Sequence, residues 1–276
     1  MNGDRVSRAL RLINNPARVV QGVWRRHPVG SFELRCRLDI FERPNYAYGV
    51  QQGAILAKEL GLPAISVAEF GVAGGRGLIE LEQIAREVAQ AYDVEVQVYG
   101  FDRGMGLPEV TDYRDLPYTW RKGYFEMDVE SLKSRLTDAR LVIGDIDETL
   151  PTFTSTYGPA PLAFVAVDVD YYSSTVDALK VFDLDDKYLL PRVTCYFDDI
   201  VGEDHVFQNK YVGELLAIEE FNVAHERQKI VPIHGLAAKR DLPAAWNDSM
   251  YAMHHFDHPL YDQYVGPDPD KQQLRL

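Results

Sequence analysis

Apolar runs and helical periodicities alternate along this chain from about residue 64 onward. Mostly apolar runs, such as residues 64–70 and 162–167, are typical of strands that a sheet buries on both faces. Between these runs, apolar residues recur at helical spacing, as in residues 78–92. The alternation predicts an α/β fold: a Rossmann-like, doubly wound and mostly parallel sheet with helices on both faces. We predict seven strands, over residues 64–70, 94–101, 140–144, 162–167, 193–197, 229–233 and 251–256.

The first 60 residues lack this regular pattern. They are rich in arginine and interrupted by Pro16, Pro28 and Pro44, which indicates short helices and loops, followed by a helix over residues 48–60. We therefore divide the 276 residues into an N-terminal helical extension or lid, 1–60, and a main domain, 61–276. The helices predicted for the main domain cover residues 78–92, 129–136, 174–184 and 211–224.

The composition is that of a soluble globular protein. The two cysteines, Cys36 and Cys195, have neither the spacing of a metal site nor that of a disulfide framework, which predicts a reducing, cytoplasmic location. No apolar run approaches the roughly 20 residues that span a bilayer. The N-terminus also lacks the apolar core of a secretory signal.

The net charge of −13 argues against nucleic-acid binding, which relies on basic surface. The charge is uneven, because residues 1–37 contain eight arginines and two acids, a net of +6, and the remaining residues carry −19. Residues 5–13 have the pattern of a basic amphipathic helix. Such a helix is suited to a membrane surface or an acidic partner, or to the acidic body of its own chain or of a second subunit. We expect a homo-oligomer.

Two acidic clusters follow predicted buried strands. Asp168 and Asp170 follow the fourth strand, and Asp198 and Asp199 follow the fifth. Ligands of an open parallel sheet bind outside the carboxyl ends of the strands, so we expect these acids to meet at one edge. Like charges at that edge would repel, and carboxylate oxygens are the ligands that Mg²⁺ prefers. The clusters therefore predict a divalent-metal site and an enzyme.

A glycine-rich turn, residues 69–77 (EFGVAGGRG), joins the first strand to the next helix. Glycine allows close approach of a ligand, and the helix N-terminus offers free N–H groups, although a simple tight turn has the same pattern. The spacing is not that of the dinucleotide fingerprint, and Glu69 would repel a pyrophosphate. S-adenosylmethionine, an adenosine cofactor without phosphate, suits the turn better. Asp102, at the end of the second strand, is placed to accept the ribose hydroxyls.

Six segments in this order resemble class I S-adenosylmethionine-dependent methyltransferases, and among them the metal-dependent, macrocin-type sugar O-methyltransferases of natural-product biosynthesis. The resemblance covers roughly residues 60–200. The matching segments are Glu69-Phe70-Gly71-Val72, Phe101-Asp102 with Gly106-Leu107-Pro108, Gly123 and Phe125 after Trp120-Arg121-Lys122, residues 144–151 (GDIDETLP), residues 168–175 (DVDYYSST), and Asp198-Asp199.

The resemblance implies an O-methyltransferase in which a metal, usually Mg²⁺, binds and activates a hydroxyl of a small-molecule acceptor, a sugar of a natural product or glycolipid. It assigns the metal to Asp168, Asp198 and Asp199. The residues it assigns to S-adenosylmethionine are Glu69, Phe70, Gly71, Gly75, Asp102, Asp145 and Ile146.

Two residues are candidates for the catalytic base. Asp168 ends a strand close to the cofactor turn, but a metal-bound carboxylate is a weakened base. His205 follows the second acidic cluster after a short loop and is the alternative to Asp168 as the base. The remaining candidates, His234, His254, His255 and His258, are weaker, since residues that alternate along a strand serve packing more often.

Three other functions remain open at this point. A metal-dependent nucleotide-sugar glycosyltransferase would explain Asp168 and Asp170, but not the acidic glycine turn or the second cluster. A non-catalytic protein with a methyltransferase fold would be expected to have lost a metal acid. An NAD-dependent oxidoreductase is disfavoured by the turn. The chain departs from the family at residues 188–192, where a Pro-Gly-Gly turn is replaced, and the match is poor beyond residue 200, so the acceptor is not identified.

Overall fold

A seven-stranded sheet forms the centre of this protein. The structure is a computed structural model that describes residues 16–266, with side chains from residue 19 onward. The basic segment at residues 5–13 lies outside this range. The strands are β1 (Ala64–Phe70), β2 (Glu95–Asp102), β3 (Arg140–Ile143), β4 (Leu162–Val167), β5 (Leu189–Phe197), β6 (Gln228–Pro232) and β7 (Met250–His255).

The helices surround this sheet, and short 3₁₀ turns connect several of the elements. The helices are α1 (Pro16–Arg26), α2 (Phe32–Arg37), α3 (Pro44–Glu59), α4 (Arg76–Tyr92), α5 (Val129–Arg135), α6 (Ile146–Tyr157), α7 (Tyr172–Leu179) and α8 (Gly213–Ala224). Within residues 16–266 none of them is both long and apolar enough to cross a bilayer.

The strand order is β3-β2-β1-β4-β5-β7-β6, with β7 antiparallel to both of its neighbours. The other strand pairs are parallel. The predicted fold class is therefore confirmed. The order reverses between β1 and β4, and a sheet of this type opens a ligand crevice at that point, outside the carboxyl ends of the strands.

Helix α3 belongs to the layer that covers the sheet, although the sequence assigns it to the N-terminal extension. It packs beside α4 and across β4 and β5. Two glycines allow this close approach: a Cβ atom at Gly49 would lie 2.3 Å from the Phe164 ring, and one at Gly53 would lie 2.6 Å from the Ala163 Cβ. Residues 44–59 are thus held against the centre of the sheet, whereas the domain boundary at residue 60 stays a prediction.

Strand β5 begins earlier than predicted. The sequence predicts a strand from residue 193, and residues 189–192 extend it at its start. The register between β4 and β5 shifts, so that Leu162 pairs with Leu189 while Phe164 pairs with Thr194. Between these two pairs β5 advances by five residues while β4 advances by two. The irregularity accommodates Pro191, which lacks the N–H of a regular ladder.

Helix α6 is missing from the prediction. Its threonines and Pro151 have low helix propensity. The helix forms because Leu150 and Phe153 are buried, and Phe153 packs edge-on against Tyr99 of β2 with ring centroids 4.9 Å apart. Tertiary packing has outweighed local propensity here.

A buried carboxylate joins α4 to the segment that leads into β3. Glu82 is 2% exposed, and its Oε1 accepts hydrogen bonds from the backbone N–H groups of Thr137, Asp138 and Ala139 at 2.8, 2.5 and 2.8 Å. Burial opposes ionisation of this group, but the three donors and Arg86 outweigh it and lower the pKa of Glu82. The ionised side chain therefore stabilises the fold.

We expect Glu82→Gln to lower the free energy of unfolding by about 1.5 kcal/mol at pH 7, because charge-assisted hydrogen bonds become neutral ones. The pKa of Glu82 is lowered in the folded state, so its contribution is complete above the usual value of 4.5 and is lost as the pH falls through the folded value. Urea denaturation from pH 7 down to pH 3 should show the difference between variant and wild type shrinking. Glu219→Gln, at an exposed position on α8, is the control; an equal loss there would contradict the prediction.

Candidate active site

A cleft of about 580 Å³ opens at the carboxyl ends of β1, β2, β4 and β5. It lies at the reversal of strand order, where the topology of the sheet predicts a ligand site. Most of the residues singled out in the sequence meet there. Those that line the cleft are Glu69, Gly71, Asp102, Asp145, Ile146, Asp168, Asp198 and Asp199.

The glycine turn lies directly against the first acidic cluster. Gly71 adopts φ +87°, and a Cβ atom there would lie 1.8 Å from the backbone carbonyl oxygen of Asp168. The backbone N–H of Asp168 in turn donates to the carbonyl of Phe70 at 2.8 Å. Only glycine allows this approach, which fixes the distance between the two halves of the cleft.

Asp102 holds the glycine turn in place. Its Oδ2 accepts hydrogen bonds from the backbone N–H groups of Val72 and Ala73, each at 2.9 Å, and its Oδ1 accepts one from Gly104 at 2.6 Å. A carboxylate has about four lone-pair positions, so Oδ1 keeps capacity for one further donor. The residue predicted to bind ribose thus also has a structural task, which the sequence did not indicate.

Glu69 lies under the turn and is 1% exposed. Its Oε1 accepts a hydrogen bond from the Tyr46 hydroxyl at 2.6 Å, while its Oε2 has no partner. Burial raises the pKa of Glu69 to about 7, against the opposing effects of Tyr46 and Arg43. A buried carboxylate with a free oxygen at the floor of a cleft is suited to a cationic donor.

The far end of the cleft is formed after β2 and β3. Arg103 Nε lies 2.9 Å from Asp145 Oδ1, and both side chains line the cleft. Asp145 is the N-cap of α6, and Ile146 is the first residue of that helix. These residues form the wall of the cleft beyond Asp102.

The acidic cluster is crowded and partly buried: Asp170 and Asp199 are buried, whereas 26% of the Asp168 side chain is exposed. Burial, followed by repulsion from Asp198 and Asp199, raises the pKa of Asp168 well above its ordinary value. The same causes raise the pKa of Asp170 to about 8, and burial with repulsion from Asp198 raises that of Asp199 to about 7. Asp170 also holds φ +62°, a strained conformation of the kind found at functional sites. The fold therefore brings carboxyl groups so close together that their ionised forms repel one another.

Two further contacts orient the second cluster. The Tyr196 hydroxyl donates to Asp198 Oδ1 at 2.6 Å, and the backbone N–H of Asp199 donates to Glu214 Oε2 at 3.0 Å. Glu214, on α8, is 1% exposed and keeps its Oε1 without a partner. Sequence reasoning missed Glu214, because nothing in its local pattern distinguishes it from any other glutamate near the start of a helix.

Arg43, the residue before α3, reaches into the cleft from the N-terminal part of the chain. Its Nη1 lies 3.8 Å from Asp168 Oδ2 and donates to the Tyr46 hydroxyl at 3.4 Å, and its guanidinium lies 5.0 Å from the centre of the Tyr46 ring. Sequence reasoning missed it as well. One arginine among many carries no motif, and only the packing of α3 on the sheet brings it here.

The chemistry of the cluster fits a divalent cation. Asp199 Oδ2 is buried without a partner, and the neighbouring carboxylates repel one another, a repulsion that a hard cation would relieve. Within residues 16–266, however, no three acidic, histidine or cysteine side chains already form a metal-binding group. The residues that would hold the cation are Asp168, Asp198 and Asp199.

Three residues assigned from the sequence do not line the cleft. The Phe70 side chain is buried in the core and stacks on Phe101, with ring centroids 4.5 Å apart. A Cβ atom at Gly75 would meet Leu132 rather than the cleft. His205 is 64% exposed and lies 3.3 Å from the Glu203 carboxylate.

His205 turns outward because its neighbour in the chain turns inward: Val206 packs with Leu116 in a small apolar cluster. The other histidine candidates also serve other contacts. The His254 ring lies 3.0 Å from the Tyr261 hydroxyl, and His258 Nε2 lies 3.0 Å from the carbonyl of Asp186. No described histidine lines the cleft.

Solved structures with a similar fold include the O-methyltransferase NovP, with a TM-score of 0.52 and 16% identity, covering 77% of this chain and 80% of NovP. The calicheamicin methyltransferase CalS11 also has a TM-score of 0.52, with 21% identity over 88% of this chain and 92% of CalS11. This chain has the fold of class I O-methyltransferases. No protein-family model and no curated protein sequence matches it. The cleft lies outside the carboxyl ends of the strands, where open sheets of this type bind ligands.

Proposed function

We propose that this protein is an S-adenosylmethionine-dependent O-methyltransferase that uses a divalent cation, Mg²⁺, to bind and activate a hydroxyl of its acceptor. One observation carries the proposal: a single cleft combines the glycine turn, with the free oxygen of Glu69 beneath it, and the crowded, partly buried cluster of Asp168, Asp198 and Asp199. The two halves are in contact through Gly71 and Asp168.

The cofactor half is suited to a positively charged adenosine compound. The buried Glu69 Oε2 has no hydrogen-bond donor, and the ammonium group of S-adenosylmethionine is such a donor. Asp102 retains one acceptor position for a ribose hydroxyl beside the turn that it holds. Asp145 and Ile146 line the part of the cleft that would receive the adenine ring of the cofactor.

The metal half supplies activation and orientation. A divalent cation held by the aspartates would orient the acceptor hydroxyl and lower its pKa, while the cofactor carries the methyl group. Asp168 is our choice of general base, since its backbone packs against Gly71 and its carboxylate lines the cleft. Holding the hydroxyl in line with the methyl group at near-attack distance is the second contribution of this half.

For the acceptor we propose a small molecule with a free hydroxyl, on a sugar of a natural product or glycolipid. Trp120 and Phe125 line the cleft, and the Trp120 indole N–H is buried without a partner. A flat apolar surface with one free donor is suited to a ring that carries oxygen atoms. The resemblance of the motifs supports the sugar. A cytoplasmic location and a homo-oligomer remain our predictions.

Calorimetric titration tests the proposal against its alternatives. The full-length protein is titrated with S-adenosylhomocysteine, UDP-sugars and NAD, with and without Mg²⁺. We expect heat from S-adenosylhomocysteine alone among the three. Absence of that heat would overturn the methyltransferase proposal. Binding of UDP-sugars that requires Mg²⁺ would favour a glycosyltransferase, and binding of NAD would favour an oxidoreductase.

Arg43→Met tests the electrostatics of the cluster. The guanidinium 3.8 Å from Asp168 partly neutralises the acids and competes with a cation. Two unit charges at about this distance interact by roughly 1 kcal/mol in water and more near a protein surface. We therefore expect Mn²⁺ to bind at least about fivefold more tightly to the variant, measured by electron paramagnetic resonance. Arg76→Met is the control, because Arg76 lines the same cleft but pairs with Glu42; weaker binding to Arg43→Met would contradict the prediction.

A further inference from the structure

Helix α1 contacts the rest of the protein through its polar side. Gln21 Nε2 donates to the carbonyl of Leu38 at 2.8 Å, and Arg25 Nη2 donates to the carbonyl of Asp39 at 2.8 Å. Gln21 and Arg25 are four residues apart and share one face of the helix. An amphipathic surface helix normally directs its apolar face at the core, so this arrangement is inverted.

The apolar side of α1 faces outward. Val19, Val20 and Val23 are 46%, 59% and 59% exposed, and Val29 in the following loop is 66% exposed. The Trp24 indole N–H donates to the carbonyl of Val29 at 2.9 Å, which ties the loop to the helix. Together with His27 these residues line a shallow groove of about 390 Å³, which we call the valine groove. Exposed apolar patches of this kind mark interaction sites.

The net charge of the sequence that contains α1 favours an anionic partner for the valine groove. Residues 1–37 carry a net +6, whereas the rest of the chain carries −19. Arg35 and Arg37 are neutralised by Glu87 and Asp241, but Arg26, on α1 itself, is exposed. Two copies that faced each other through this groove would bring together two stretches of sequence with the same positive net charge. The groove is lined by Val19, Val20, Val23, Trp24, His27 and Val29, far fewer than the roughly 20–30 residues per partner of a stable protein interface.

We propose that the valine groove binds the surface of an anionic lipid bilayer. The exposed valines and Trp24 would enter the boundary between headgroups and acyl chains, while the arginines of residues 1–37 contact lipid phosphates. The acidic body would remain in solution, because its charge repels the same surface. Insertion of the valines and electrostatic attraction of the arginines to the lipid both contribute to binding, and binding needs both.

Vesicle flotation with the full-length protein tests this. The probes are vesicles of phosphatidylcholine alone and of phosphatidylcholine with 30% phosphatidylglycerol, roughly the anionic content at which basic helices bind. We expect flotation with the anionic vesicles only, reduced by 0.5 M salt, a concentration of about this order screening surface charge. The double variant Val20→Asp/Val23→Asp should bind at least about tenfold more weakly. Val223→Asp, at an exposed valine of α8, is the matched control and should bind as the wild type does.

The remaining outcomes overturn the proposal. Absence of wild-type flotation, or equal flotation of the double variant, rules out lipid binding by the groove. If light scattering shows a dimer that the double variant dissociates, the groove is a subunit contact. If the double variant instead melts several degrees lower while Val223→Asp does not, the groove packs against another part of its own chain.

Discussion

Asp168→Asn is expected to abolish the divalent-cation site and leave the cofactor half of the cleft intact. The substitution removes one of the three carboxylates proposed to hold the cation, so Mn²⁺ should bind at least about 100-fold more weakly, beyond the loss that follows changes to residues outside the ligand set. Electron paramagnetic resonance measures this without any acceptor. S-adenosylhomocysteine should bind with unchanged affinity in calorimetry.

The same substitution should stabilise the fold in the absence of cations. Burial and repulsion from Asp198 and Asp199 raise the pKa of Asp168, which means that its ionised form is disfavoured in the folded protein. A neutral amide removes that cost, and we expect the melting temperature to rise by about 2 °C or more. A gain in stability with a loss of binding is typical of a functional residue held against its own electrostatics.

Asp177→Asn is the matched control for Asp168→Asn. Asp177 lines the same cleft but pairs with Lys180 at 2.6 Å, outside the buried cluster. It should leave Mn²⁺ affinity unchanged. Equal Mn²⁺ binding by wild type and Asp168→Asn would contradict the metal assignment, whereas loss of S-adenosylhomocysteine binding in Asp168→Asn would contradict the division of the cleft into two halves.

Gly71→Ala is expected to have the largest effect on the cofactor turn. The new Cβ would lie 1.8 Å from the backbone carbonyl oxygen of Asp168. Neither atom can move away easily, because the backbone that carries each of them is held by the sheet. Gly71 also has φ +87°, which alanine rarely adopts. We expect the free energy of unfolding to fall by about 3 kcal/mol or more, and S-adenosylhomocysteine to lose measurable binding.

Gly74→Ala provides the comparison within the same turn. A Cβ atom at Gly74 meets nothing within 4 Å, so the melting temperature should change little. Thermal unfolding of the two variants separates the steric effect of Gly71 from the general effect of replacing a glycine. A Gly71→Ala protein that melts with the wild type would show that the contact between turn and acidic cluster is not required.

The alternation of strands and helices, and the position of several acids at strand ends, were predictable because they depend on short-range patterns. A buried strand needs an apolar run, and a residue that follows such a run must lie at the sheet edge, which placed Asp102, Asp168 and Asp198 correctly before any contact was known. The limits of this reasoning appear at Phe70 and His205. Phe70 lies between Glu69 and Gly71, and His205 follows Asp199 after a short loop, yet Phe70 stacks in the core and His205 faces solvent.

Other features depend on contacts between distant segments. Arg43 and Glu214 reach the acidic cluster from α3 and α8, and neither has a local sequence signal. Helix α6 forms against poor propensity because Phe153 finds a packing partner in β2. Asp102 clamps the turn as well as lining the cleft, which follows from the distance between two strand ends and not from its position in the chain.

By itself the sequence determined the alternating architecture and the position of the cleft at the strand ends, because hydrophobic periodicity and strand-end placement are local properties. Only the tertiary structure decided which side chains meet. It places Arg43 beside Asp168 and buries Glu69 with one carboxylate oxygen unpaired. It also leaves His205 and the valines of α1 exposed to solvent. Burial and like-charge repulsion depend on distances in space, and these exist only once α3, α8 and the sheet have packed together.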